Sequence, residues 1–450
     1  MAFLELYMQT NGSDFNAGTD QTTPSTTISG TTSLNTTSGV LTFTAGSTGA
    51  FTGISTGAWV ALSNSSDTIA RFTGTIVTID GTNTIITIQC GTVSPYYSSV
   101  GLGAANGLTG TVNCVIGGAW ASFNITNTNG CMNGTTPSLS GALTASTYNG
   151  LRVNVKAGNY SFSPAANISL PTGLAAKPIW WRGYYSTIGD IDNCANVSGV
   201  LVAPAGQTAA PSGATRPQIT FTTAYGFAAG AYNWFDSIEV TSSGTAMAGG
   251  TVSRFTRCRF TTTSTSTNAL TGNSSVLVGC LITALSGGTA SGWLGIGNAI
   301  GCVFRTGSGG VGIYTLGSSN IIFCVFEGSG NGIFLSGQPN VILNNAFYNC
   351  GSGIQVQSGS GGINLIVNNI FSNNRSYGVQ LVLSPSQSYL INNDFFSNTS
   401  GNVYNLFENY QVGAITTESA TPFVNTGTRD YSLTSTSLAR QAGFPGQLEL

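Results

Sequence analysis

Side chains able to do acid–base or metal chemistry are few in this sequence, and most of them are scattered. It holds 15 Asp and Glu, 13 Lys and Arg, 9 cysteines and no histidine. Hydrolysis of a glycosidic bond needs two carboxylates facing one cleft. Eliminative cleavage of a glycan needs a base, often Arg or Lys, beside a calcium ion held by several acids. The cluster that comes nearest to either is Arg182 with Asp190 and Asp192. On a strand, residues i and i+2 share a face, so the two aspartates form a weak candidate surface site. Solvation in a turn is the plainer account of them. Asp14 and Asp20 lack the run of oxygen ligands that a calcium loop wants, and turn chemistry explains them. Metal chemistry at cysteine is no better supported. Zinc sites use C-x-x-C pairs and usually histidine, and the chain has neither.

What the cysteines do have is a period. Cys258, Cys280, Cys302 and Cys324 lie 22 residues apart, each followed two positions on by Phe260, Ile282, Phe304 or Phe326. Asparagine then takes the cysteine position, in Asn345 with Phe347, Asn369 with Phe371 and Asn393 with Phe395. A second column runs beside it: Gly292-Trp293, Gly312-Ile313, Gly332-Ile333, Gly353-Ile354 and Gly378-Val379. Self-similarity at this period means stacked supersecondary units. The units are rich in Gly, Ser, Thr and Asn and alternate at strand spacing, which excludes helices. The pattern predicts an all-β chain: a right-handed parallel β-helix of about 22 residues per coil, each coil about 4.8 Å above the last. In such a solenoid a column of like residues is a stack in space. The phenylalanines then form an aromatic ladder in the core. The cysteines form a ladder of small buried thiols. The asparagines form a ladder of mutually bonded amides, because a buried amide must be paired. The second-column glycines mark bends or bulges at coil corners.

Register places the remaining charges. Glu327 and Arg305 sit three residues after Cys324 and Cys302, so they face each other on adjacent coils as a surface ion pair worth well under ~1 kcal/mol. Glu239 and Asp394 each follow a ladder position by one residue, but on coils on the order of 30 Å apart. No two acids share a neighbourhood in the regular region.

Charged residues make up 6% of the chain and the net charge is −2. This argues against an electrostatic footprint for nucleic acid or an anionic membrane, and no apolar run is long enough to insert into a bilayer. The start, MAFLELYMQTNGSD, lacks a basic n-region and a sustained apolar run, so no signal peptide is expected. An odd number of cysteines leaves at least one unpaired. Cys90 with Cys114 is the best disulfide candidate, and Cys131 and Cys194 have no assigned partner.

Along the chain, residues 1–35 read as a strand and a linker. Residues 36–119 alternate as strands, with Asp80-Gly81 as a hairpin signal, and predict a small antiparallel β-domain inserted near the start of the solenoid. Residues 120–149 read as a connecting or capping segment with a possible short helix around Leu139–Ala145. The solenoid spans 150–410. Its first coils are RVNVKAGNYSF, PIWWRGYY, QITFTTAYGF and YNWFDSIEV, with a long excursion between Ser186 and Thr215. Residues 411–450 read as a closing coil and C-terminal cap, which would cover the open sheet edge.

The phrases TNGSDFNAGT, VNVKAGNY, IWWRGYYSTIGD and PFVNTGTRDYSLTSTSLARQAG resemble right-handed β-helix repeat proteins of the pectate-lyase-like superfamily, and most of all members found in tailed phages and planctomycete-type bacteria. The resemblance implies the fold. Function is left open, since that superfamily includes polysaccharide lyases and hydrolases, phage tailspikes and purely structural proteins. The few charges favour a non-enzymatic reading without a cofactor: a structural or adhesive subunit of a virion, such as a fibre, spike or decoration protein, that self-associates or joins other assembly subunits. A bacterial cell-surface or extracellular filament subunit is the first alternative. A glycan-binding or glycan-cleaving protein is the second, with Tyr184, Tyr185 or Trp234 as sugar-stacking platforms.

Overall fold

The computed structural model of this chain describes residues 3–9, 26–35, 40–64, 72–89, 108, 110–117, 149–170, 172–197, 200–203, 207, 209–284, 289–337, 339–357, 363–382, 387–404, 410–412 and 416–441. Strand β1 (Leu4–Met8) does not belong to the segment that follows it. It pairs in parallel with β8 (Leu151–Lys156), Leu4 opposite Leu151 and Met8 opposite Val155. The residues between these two strands are therefore an insertion behind the first rung of the solenoid.

The insertion's described strands form an antiparallel barrel. Strands β2 (Thr26–Asn35), β3 (Val40–Ala45), β4 (Trp59–Asn64), β5 (Phe72–Ile79), β6 (Ile85–Gln89) and β7 (Val112–Ile116) close in the order β2-β3-β6-β5-β4-β7. Leu41, Phe43 and Ala45 alternate inward along β3. Asp80 closes the β5–β6 hairpin by accepting from the N–H groups of Thr84 at 2.7 Å and Ile85 at 2.8 Å. Chiefly because of the Ile85 N–H, its pKa falls to about 2. The stretch expected to be a linker is thus largely a barrel strand: Thr26–Asn35 pairs with β3 on one side and β7 on the other. Its Thr and Ser pattern hides the strand, because Ile28 and Gly30 are the buried residues among Thr26–Ser33. A β-carbon on Gly30 would lie 2.1 Å from the Thr44 carbonyl oxygen. The candidate Cys90–Cys114 disulfide is absent: Cys114 is a buried free thiol, and Cys90 lies outside the described residues. So do Cys131 and the helix expected around Leu139–Ala145.

The rest is a right-handed parallel β-helix of about 22 residues per coil. Each coil lays one strand on each of three sheets. Asn331–Leu335, Asn340–Leu343 and Ala346–Tyr348 are one such set. They pair with Val311–Thr315, Ser319–Ile322 and Val325–Glu327 of the coil before. On the other side they pair with Ser352–Val356, Ile363–Val367 and Ile370–Ser372 of the coil after. The third sheet alone stacks 11 strands. PIWWRGYY and QITF, read as successive coils, belong to one: Ile179–Tyr184 is a second-sheet strand and Pro217–Phe221 a third-sheet strand, with the excursion between them.

The ladders lie in the core. Phe304, Phe326, Phe347, Phe371 and Phe395 stack with centroids 5.0, 4.8, 4.8 and 5.0 Å apart and planes within 15°. Ile282 separates them from Phe260 in the same column. Burying each ring contributes about 1.5–3 kcal/mol, and stacking adds about 0.5–1.5 kcal/mol per pair. The second-column glycines are not corners. Gly332, Gly353 and Gly378 sit within first-sheet strands, where a β-carbon would meet the rings of Phe347, Phe371 and Phe395 at 2.6, 2.5 and 2.5 Å. The first sheet comes that close because it has nothing there to hold it off.

The ladder of amides is fully bonded. Asn369 Oδ1 accepts from Asn345 N at 2.9 Å and Nδ2 at 3.0 Å. Its own Nδ2 donates to Asn393 Oδ1 at 3.1 Å and to the Ile342 carbonyl at 3.0 Å. The residue before each ladder position turns the chain with positive φ: Ser237, Arg257, Gly279, Gly301, Phe323, Asn344, Asn368 and Asn392 lie between 49° and 60°. Five residues on, Cys350, Asn374 and Asn398 form a second ladder of the same construction.

Residues 422–441 depart from the expected terminal cap. The hairpin Phe423–Asn425/Asp430–Leu433 and the one-turn helix Leu438–Gln441 lie against the outer side of the third sheet. Phe423, Tyr431 and Ala439 pack there on Val325, Ala346 and Ile370. Arg429 extends the Arg305–Glu327 pair, which closes at 3.0 Å, by binding Glu327 at 3.1 Å.

Replacing Asn369 with Ala leaves the Asn345 N–H and Nδ2 and the Ile342 carbonyl without their partners in a dry core. At about 1–3 kcal/mol per orphaned group, the expected loss is about 3 kcal/mol or more of solenoid stability by urea denaturation. Cys302→Ala at an equally buried ladder position that carries only thiol contacts should cost less than half as much.

Candidate functional site

The most functional-looking surface belongs to the N-terminal end of the second sheet. In Ile179–Tyr184, Trp181 points inward and stacks on Phe235 at 6.2 Å, which stacks on Phe255 at 5.5 Å. Alternation then turns Trp180 and Arg182 outward. Register puts Glu5, Arg152, Trp180, Trp234 and Arg254 in one outward column. Asn154, Arg182, Asp236 and Thr256 form the column beside it.

Nearly every charge here is engaged. Arg182 grips Asp192 through both nitrogens of its fork, Nε reaching Oδ1 at 2.9 Å and Nη2 reaching Oδ2. Arg257 holds Asp236 through Nη2, which donates to Oδ1 at 2.8 Å and Oδ2 at 2.6 Å, and through Nε, which donates to Oδ1 at 3.2 Å. Arg152 pairs with Glu5 at 3.3 Å and lies 4.5 Å over the Trp180 ring. Burial favours a neutral Arg182, but Asp192 outweighs it and raises its pKa. Burial pushes Asp236 up, against the pull of Arg257. Arg254, the next residue of that column after Trp234, is exposed and makes no ion pair among the described residues.

The weak candidate pair of aspartates does not form, and the turn that was the plainer account of them is what the structure has. Asp190 and Asp192 lie in a turn rather than on a strand, and their carboxylates have different tasks. Asp190 ties that turn, accepting from the N–H groups of Tyr185, Ser186 and Thr187 at 2.8, 2.7 and 2.9 Å. Burial raises it, but those donors hold its pKa below the ordinary carboxylate range. Only Asp192 joins Arg182. Of the expected platforms, Tyr184 is fully buried, while Tyr185 and Trp234 are partly exposed. Trp234 faces a pocket of about 220 Å³ with Trp180, Asp236, Arg254, Thr256 and Arg257. Trp180 and Arg254 were missed because 74 positions separate them. The available signal was the alignment of WWR, WFD and RFT at 180–182, 234–236 and 254–256.

Two groups nearby stay out of this surface. Arg216, where the excursion rejoins the solenoid, is 5% exposed, and its Nε and Nη2 have no partner. Burial lowers its pKa. The ladder thiols are buried and unbridged, and burial raises the pKa of Cys258, Cys280 and Cys302 well above the usual thiol range. Among the described residues, no three His, Cys, Asp or Glu side chains gather as a metal site.

The family described as "Right handed beta helix region" matches residues 232–395, and with the register above this makes the chain a right-handed parallel β-helix protein. No protein of curated function matches it. A pectate lyase structure aligns at 16% identity over 67% of this chain and 84% of its own, with a TM-score of 0.39. The ORF18 protein of Geobacillus virus E2 aligns at 14% identity over 61% of this chain and 55% of its own, with a TM-score of 0.36. An alginate lyase from Paenibacillus sp. aligns at 15% identity over 59% of this chain and 94% of its own, with a TM-score of 0.35. These likenesses do not bear on what this chain does.

Arg216 has unbonded Nε and Nη2 and no ion pair among the described residues, and a buried guanidinium held this poorly costs several kcal/mol to desolvate. Arg216→Met keeps the length and removes the charge. Its expected effect is a thermal midpoint equal to or above that of the parent, whereas Asp192→Asn, which strands Arg182, should lower stability by about 1–3 kcal/mol.

Proposed function

We propose that this chain is a non-enzymatic, adhesive structural subunit of an extracellular or virion assembly, such as a fibre, spike or decoration protein, and that its solenoid holds a glycan on the second sheet. One observation carries this reading: the acids around the Trp180–Trp234 pocket are occupied by arginine or turn donors, and Arg152 covers Trp180, while the partly exposed Trp234 and the exposed Arg254 remain available. Ring faces and edges flanked by fixed donors suit the apolar faces and hydroxyls of a sugar. Two carboxylates free to exchange protons, which cleavage needs, do not stand beside them.

A filament subunit is the second reading, and a different observation favours it. Toward the C-terminal end the outward columns of the same sheet become apolar, with Ile300, Ile363 and Leu365 38, 41 and 37% exposed. Apolar area of this kind marks contact surfaces.

Two measurements test the proposal. On a glycan array, binding should appear and fall at least tenfold in Trp234→Ala, while the same glycans stay uncut on prolonged incubation. Cleavage overturns the non-enzymatic reading. In light scattering behind a sizing column, a discrete oligomer is expected. Open-ended polymers would replace the virion reading with the filament.

A further inference from the structure

The C-terminal arm meets the solenoid beside a carboxyl pair that the fold does not otherwise require. Asp394 continues the outward column of Val325, Ala346 and Ile370 that the arm covers. It is 1% exposed, and both of its carboxyl oxygens are buried with no hydrogen-bond partner. Its neighbour is Glu418 on the next coil, whose N–H donates to the Phe395 carbonyl at 3.0 Å. Glu418 in turn anchors the arm. Its Oε1 accepts from Ser437 Oγ and Leu438 N at 2.6 Å each and from Ala439 N at 3.4 Å, capping the one-turn helix.

Two ionised carboxyls in contact and out of water repel each other, and one of them must take a proton. Glu418 is the one with donors for its anion, so the proton belongs on Asp394. Its O–H then donates to the Glu418 carboxylate, which gives the orphaned group a partner. The strand below offers only Ile370 and Ser372 toward Asp394, neither of which titrates. On the arm, Arg440 is exposed. Glu327 is occupied by Arg305 and Arg429. Among the described residues, no cation pairs with Asp394 or Glu418.

We infer that Asp394 and Glu418 share one proton and form a latch that holds the C-terminal arm on the third sheet, firmly in acid and loosely once the proton leaves. Burial first, and Glu418 second, push Asp394 up to about 7. The docked arm therefore binds a proton that the free arm releases near the ordinary carboxylate pKa. Docking weakens as pH rises from about 4 to about 7 and is level above that. Loosening the arm uncovers Val325, Ala346 and Ile370 for another partner.

The test is hydrogen exchange of the full chain at a series of pH values, corrected for intrinsic rates, read at the amides of Phe423–Leu433. Protection is expected to fall by roughly a hundredfold between pH 5 and pH 8, while ladder amides such as Asn369 stay unchanged. In Asp394→Asn, whose amide donates to Glu418 at any pH, protection should be pH-independent. Flat protection in the parent chain overturns the latch, as does a pH dependence that survives in Asp394→Asn. Protection that follows added calcium and is lost to chelator also overturns it, since the pair would then hold a cation instead of a proton.

Discussion

Everything in the solenoid depends on each coil lying in register on the last, and the turn between the second and third sheets enforces that register. There the backbone passes through positive φ at one residue and buries the next. The buried residue hands a hydrogen bond to its counterpart one coil away, amide to amide from Asn345 to Asn393. In the cysteine section the bond is weaker, N–H to sulfur, as from Cys302 N to Cys324 at 3.4 Å. Slipping one coil by a single residue would break these bonds and turn the phenylalanine ladder out of the core. Positive φ costs Asn344, Asn368 and Asn392 little. Phe323 and Arg257 bear more strain, of order 1–3 kcal/mol, and the bonded turn around them must hold them there.

This internal bonding explains the sparse charge. A surface of Thr, Ser and Asn suffices when stability comes from stacked rings, bonded amides and parallel sheets. Two of the ion pairs are local fasteners. Arg182–Asp192 ties the excursion to the second sheet, and Arg429–Glu327 ties the arm to the third. Both hold segments that do not share the repeat, where register offers nothing.

The same division governs what could be read from the sequence. The ladders from Cys258 to Phe395 were legible because a parallel stack copies sequence period directly into space. The second ladder through Cys350, Asn374 and Asn398 was equally periodic, but it hid behind the first at an offset of five residues. Thr26–Asn35 passed for a linker because Thr and Ser serve in coil and strand alike, and its bonds come from partners on both sides. Arg182 was placed near Asp192 by chain proximity alone. Its aromatic neighbours Trp180 and Trp234 needed register across an excursion that breaks the period. The contact of Asp394 with Glu418 lay beyond the point where the ladder fades, where spacing no longer maps onto distance.

The three sheets divide the work of the surface. The first draws so close to the core that glycine is required under the rings, which leaves it little freedom to vary. The third is covered along part of its length by the arm. The second is the sheet whose outward columns change character along the axis, from Glu5, Arg152, Trp180 and Trp234 at one end to Val341, Leu365 and Tyr389 at the other. Inward residues of a stacked coil are constrained by their neighbours above and below, whereas outward residues of an uncovered sheet are not. A change from charged and aromatic to apolar along one face is therefore a property the ladder did not impose.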